Sequence, residues 1–179
     1  RADDALWLFP TVYKYIAETG DTAFMDEIIP YATHGEGTVL DHLKRAIDFS
    51  MNHLGAHGMP AGLHADWNDC LRLGAAGESS FVAMQLYLAL RLLDELMPNK
   101  PENDEYRVYL RQKAEEQKAL INQHFWEDDR FRRGYSEQGS IIGSKNDPEA
   151  SMWLNPQSWA VISGLATPEQ AEKAMQTAF

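Results

Sequence analysis

Gly77-Glu78-Ser79-Ser80-Phe81-Val82-Ala83-Met84-Gln85-Leu86-Tyr87-Leu88-Ala89-Leu90-Arg91-Leu92-Leu93-Asp94-Glu95-Leu96 is the stretch on which the fold turns. Phe81, Met84, Leu88, Leu92 and Leu96 recur at helical spacing. From Val82 to Leu90 apolar residues cover most of the circumference, so this helix is expected to be enclosed on more than one side. Met97-Pro98-Asn99-Lys100-Pro101 breaks it. The helical patterns on either side are amphipathic. Thr38 is expected to cap a helix with Val39, Leu43, Ala46, Ile47, Met51 and Leu54 on one stripe, stopped by the glycines and proline of Gly55 to Pro60. Glu102 to His124 is polar and charge-laced with a narrower stripe (Tyr106, Leu110, Leu120, Ile121, Phe125), as an outer helix would be.

Asp3-Asp4 precedes a helix with Leu6, Phe9, Tyr13 and Ile16 on one face and a stop at Gly20. The two acids cap that helix, or one of them faces a cleft. Asp21 to Ile29 is expected to form a short helix, and Tyr31 to Gly37 a loop. Beyond Trp126 the pattern changes: residues 131–135 and 140–143 are expected to pair as short strands around Gly139. Asn155 starts a helix ending at Gly164. Thr167-Pro168-Glu169-Gln170 carries the signals of a helix start for Ala171 to Phe179. The fold class is mainly all-α, of inner and outer helices as in an α/α barrel or toroid, with a small β-hairpin insertion; a plain helical bundle is the other arrangement of the same pattern.

The chain has 179 residues, 44% hydrophobic, with a formal net charge of −11. Nucleic acid and anionic membrane surfaces are therefore not expected partners, and no apolar run reaches the length of a membrane span. A neutral sugar is compatible with this charge. The single cysteine, Cys70, is expected to be a small buried thiol and fits a reducing cytoplasm. The first residue is not Met and the last helical pattern is cut at Phe179, so the chain is expected to be part of a longer protein.

Between the two central helices lies Gly62-Leu63-His64-Ala65-Asp66-Trp67-Asn68-Asp69-Cys70-Leu71. Two carboxylates flank a Trp and an Asn on a glycine-bounded loop, and such loops often carry chemistry. Trp67 offers a flat apolar face that suits a sugar ring. A carboxyl beside an indole loses solvation, which favours its protonated form and so a general acid. The competing reading is an Asp-rich cap beside a core Trp. Six scattered histidines without ligand spacing argue against a protein-held metal. No phosphate-cradling glycine loop or nucleophile elbow is present.

This segment resembles the catalytic segment of the inverting disaccharide phosphorylases related to cellobiose phosphorylase and chitobiose phosphorylase. Gly77-Glu78-Ser79, Asp3-Asp4-Ala5-Leu6-Trp7-Leu8, Glu18-Thr19-Gly20-Asp21 and Asn155-Pro156-Gln157-Ser158-Trp159-Ala160-Val161 resemble the same family. The resemblance implies that residues 1–179 are part of an (α/α)6-barrel catalytic domain. It implies Asp69 as the general acid, with Trp67, His64 and Asp66 on the substrate side, Asp66 as a supporting group. It implies no cofactor or metal. Inorganic phosphate is co-substrate and nucleophile, and a β-linked disaccharide gives an α-sugar-1-phosphate and a free sugar. Family members often pair as homodimers. The phosphate-holding groups would lie beyond this chain, which alone is expected to be inactive. Arg72, Arg132 and Arg133 are expected to be surface arginines. The alternatives are an inverting hydrolase on the same barrel, with Asp3, Asp4 or Glu78 as base, and a non-catalytic carbohydrate-binding helical module.

Overall fold

A computed structural model describes residues 1–179. The molecule is mostly helical, with three very small antiparallel sheets. Helix α1 spans Leu8–Thr19 and α2 Val39–Met51. Helix α3 spans Ser80–Leu96, α4 Asp104–Phe125, α5 Leu154–Ile162 and α6 Pro168–Ala178. Helix α3 packs against α1, α2, α4 and α5. Its residues from Ser80 to Tyr87 are all buried, as are Ala89, Leu90, Leu92 and Leu93. The enclosed helix expected from the sequence is therefore the centre of the core. Each large apolar side chain buried there contributes about 1.5–3 kcal/mol.

The helix ends follow local chemistry. Gly20 closes α1 in the left-handed region at φ 71°, where only glycine is unstrained. Thr38 and Asp41 form a reciprocal capping box on α2, and Thr167 and Gln170 form one on α6. Thr38→Ala is expected to cost about 1 kcal/mol, read as a drop of roughly 2–4 °C in the melting temperature. Helix α4 buries only Leu110, Ala114, Gln117, Ile121 and Phe125, the narrow stripe of an outer helix.

Several expectations are corrected. The segment after Asp21 is a 3₁₀ turn, Thr22–Asp26, and does not continue as helix to Ile29. Strand β1, Ile28–Pro30, pairs instead with β2, Glu36–Thr38, inside the expected loop. Two β-branched residues in a row, the second held extended by Pro30, favour a strand. Helix α2 stops at Met51, and Leu54 pairs with Pro60. Asp3 and Asp4 start a 3₁₀ turn, Asp4–Trp7, without a side-chain cap bond.

The β elements near the middle of the chain position the loop. Strand β3, Glu78–Ser79, lies just before α3. Strands β4, Trp126–Glu127, and β5, Arg130–Phe131, form a tight hairpin after α4. Strands β6, Gly134–Tyr135, and β7, Ile141–Ile142, pair around Gly139 as expected, but the expected strand over 131–135 is split, since Phe131 belongs to β5 and pairs with Trp126; β3 joins β6 on its other edge. Gly134 permits that pairing, since a Cβ there would sit 2.4 Å from the Glu78 carbonyl oxygen. No helix is long and apolar enough to cross a membrane.

Candidate active site

The loop from Gly62 to Gly77 is ordered by its own backbone. Gly62 N–H donates to the Gly77 carbonyl, Leu63 N–H to Ala75 at 3.0 Å and Leu71 N–H to Asn68 at 3.0 Å. Leu63 sits at φ 53°, an uncommon conformation for a branched residue and one found where surrounding structure holds the chain. The N-terminus lies against this loop: Ala2 N–H donates to the Ala65 carbonyl at 3.0 Å.

The two acids of the loop have opposite surroundings. Asp66 is buried, with 3% of its surface exposed. Its Oδ1 accepts the Asn68 N–H at 2.8 Å, and its Oδ2 accepts Ser79 Oγ–H at 2.6 Å and the Arg133 guanidinium. Both carboxylate oxygens are therefore used inside the protein, and Asp66 acts as a support for the loop. Asp69 is exposed and its Oδ2 accepts from Arg1 Nη2 at 2.9 Å. Trp67 is 63% exposed, so its ring lies at the surface and is not a core residue. His64 is exposed too. The structure thus brings Trp67, Asp69 and His64 to one exposed loop and separates Asp66 from them. It does not place Asp69 in the desolvated setting that its neighbouring indole suggested.

Cys70 is exposed, contrary to expectation, because the loop turns its far end to solvent. Arg72 is exposed as expected. Arg133 is the main correction: 1% of its surface is exposed, and it is the largest fully buried side chain in the molecule. Arg132 is partly buried against Glu127 at 3.1 Å. A signal for Arg133 was present in the chain. In the extended run Phe131-Arg132-Arg133-Gly134-Tyr135, alternation puts Arg133 on the side of Phe131 and Tyr135, and both of these are buried.

Asp3 is also buried, and its Oδ2 accepts the Trp7 indole N–H at 2.9 Å. Burial raises the Asp3 pKa above the ordinary carboxylate value; the indole hydrogen bond opposes this, and the nearby Asp4 and Asp66 carboxylates add to it. Trp7 meets Trp159 edge-on at 5.4 Å, and Phe81 joins both rings under the N-terminal segment. Gln157, two residues before Trp159, is fully buried and exchanges two 2.7 Å hydrogen bonds with the Phe131 backbone. The Asn155 to Val161 motif therefore fixes the hairpin to α5.

Glu78 holds the approach to the loop. It is 1% exposed and accepts from the backbone N–H of His57 at 3.0 Å and of Met59 at 3.1 Å, and from the His57 ring. The His57 ring packs at a tilt against the rings of Tyr135 and His124, with centroids 4.3 Å and 4.5 Å away. The His124 pKa is lowered, first by burial and then by His57. No three His, Cys, Asp or Glu side chains come together as a metal-ligand set.

The loop thus presents an exposed Trp and an exposed carboxylate and is held from beneath by a buried ion pair. Residues 1–178 match the model of the glycosyl hydrolase 94 superfamily catalytic domain. The chain belongs to that superfamily. Among its relatives, the N,N'-diacetylchitobiose phosphorylase of Vibrio proteolyticus is 41% identical, over 97% of this chain and 22% of that protein. Solabiose phosphorylase of Paenibacillus borealis is 36% identical, over 98% of this chain and 23% of that protein. The glycosyl hydrolase 94 chain thus spans less than a quarter of the length of these relatives. In fold it resembles part of a rhamnosidase from Klebsiella oxytoca, with a TM-score of 0.65 at 16% identity, over 96% of this chain and 29% of that one.

Proposed function

We propose that the full-length protein is an inverting disaccharide phosphorylase and that this chain is part of its (α/α)6-barrel catalytic domain. The observation that carries the reading is the pairing of exposed Trp67 with exposed Asp69 on a loop held from within. The names of its relatives as disaccharide phosphorylases support it.

In this reading Trp67 stacks on a sugar ring and Asp69, protonated, faces the glycosidic oxygen. Phosphate attacks the anomeric carbon from the face opposite the leaving sugar. The carbon–oxygen bond to the leaving sugar breaks as Asp69 gives that oxygen its proton. The products are an α-sugar-1-phosphate and a free sugar. Asp69, left as a carboxylate, regains a proton from solvent. Phosphate is itself the nucleophile, so no second carboxylate is needed to activate water. The co-substrates are a β-linked disaccharide and inorganic phosphate, with no cofactor. His64 faces the acceptor sugar.

A hydrolase would need a base for water. Of the three acids that could be nominated, Glu78 and Asp3 are buried and engaged within the protein, and Asp4 alone is exposed. The deciding experiment incubates the full-length protein with β-linked disaccharides, with and without phosphate. Sugar-1-phosphate formed only with phosphate is the expected result. Free sugar released without phosphate, and no sugar-1-phosphate, would sink the reading. Trp67→Ala is expected to raise KM for the disaccharide about 10-fold, the loss of roughly 1.4 kcal/mol of stacking; initial rates over a range of disaccharide concentrations check it.

A further inference from the structure

We propose that Arg133 is a positioning residue for the loop, acting through Asp66, and that its guanidinium sets how effectively Asp69 delivers a proton to the leaving sugar. The inference rests on the reading of Asp69 as general acid.

The Arg133 fork spans two acceptors. Its Nη1 donates to Ser79 Oγ at 2.8 Å, and its Nη2 donates to Asp66 Oδ2. Ser79 Oγ–H closes the triangle onto the same carboxylate oxygen at 2.6 Å. The other oxygen of Asp66 holds the Asn68 N–H at 2.8 Å. Asn68 lies between Trp67 and Asp69, so the chain of bonds from Arg133 ends one residue from each exposed group.

The far end of this strut is itself fixed. Arg133 N–H donates to the Ile142 carbonyl at 2.8 Å. The Arg133 carbonyl accepts Ser80 N–H at 3.2 Å and Ser80 Oγ–H at 2.9 Å, at the first turn of α3. The guanidinium lies 5.8 Å from the centre of the Trp153 ring. The strut therefore transmits the rigidity of the central helix to a loop whose working carboxylate is exposed. A lysine could not reproduce it, since an ammonium lacks the planar fork that meets two acceptors at once. Misplacement of a catalytic group by about 1 Å can cost on the order of 100-fold in rate.

The test uses the full-length protein and two substrates with the same donor sugar. One is the β-linked disaccharide, whose leaving sugar needs a proton. The other is the dinitrophenyl β-glycoside, whose leaving phenolate does not. Phosphorolysis rates are measured for Arg133→Lys, for Arg133→Met and for the Arg133→Met/Asp66→Leu pair. The pair removes both buried charges together and so keeps a folded reference if the single variant is lost. The expected result is a loss of about 100-fold in kcat on the disaccharide and less than about 3-fold on the aryl glycoside, persisting in the pair even where its thermal stability is restored. Equal losses on both substrates, or a kcat that recovers along with stability, would overturn the proposal. Asp69→Asn run in parallel separates the two readings. If it discriminates between the substrates and the Arg133 variants do not, only the positioning role falls. If it does not discriminate, the general-acid reading falls and the positioning role falls with it.

Discussion

Asp69→Asn in the full-length protein is expected to lower kcat/KM for disaccharide phosphorolysis by about 10³-fold, a loss of roughly 4 kcal/mol in the transition state. The amide keeps the size and polarity of the carboxyl but cannot hand over its proton. The leaving sugar alkoxide would then depart unprotonated, the costliest part of the step. Because an enzyme does not change the equilibrium constant, synthesis from the sugar-1-phosphate is expected to fall by the same factor. The side chain is exposed and its one polar partner is Arg1, so stability should shift by no more than about 0.5 kcal/mol. Rates in both directions, with a thermal melt on the same preparation, check this. A rate retained within about threefold would remove Asp69 from its role and leave a binding loop.

Glu78→Ala is expected to destabilise the protein by about 3 kcal/mol or more. Two backbone N–H groups, of His57 and Met59, lose their acceptor in a buried site, each worth roughly 1–3 kcal/mol. The carboxylate stem also fills the space against Gly55, where a Cβ would come within 2.4 Å of Glu78 Cγ, so its removal opens a cavity. The urea midpoint of the full-length protein should fall on the order of 1 M. An unchanged midpoint with lost turnover would contradict the structural role and return Glu78 to consideration as a catalytic base.

Much of the molecule was legible in the chain because its determinants are local. The all-round apolar pattern of Val82 to Leu90 announced an enclosed helix, and α3 is enclosed. Thr38, Gly20 and Thr167 marked helix ends because a cap is a contact within one turn. At Ile28 and Ile29 the proline that follows reads as a helix stop, but the helical turn ends at Asp26, and the two β-branched residues pair as a strand with Glu36–Thr38, a contact that lies outside the local pattern.

The candidate site divided along the same line. That Asp66-Trp67-Asn68-Asp69 is a special loop could be read from residue types and flanking glycines. Which acid faces solvent could not, because Asp66 and Asp69 are alike as residues. Asp66 can be buried because Arg133, 67 positions away, is folded against it and donates to its carboxylate. Arginine is by default a surface residue, and only a partner brought close by the fold can offset the cost of burying its charge. The sequence by itself determined the central helix, its caps and the chemistry available on the loop. Only the tertiary structure decided that one carboxylate braces the loop and the other is left exposed, since a buried ion pair exists only when two distant segments are folded against each other.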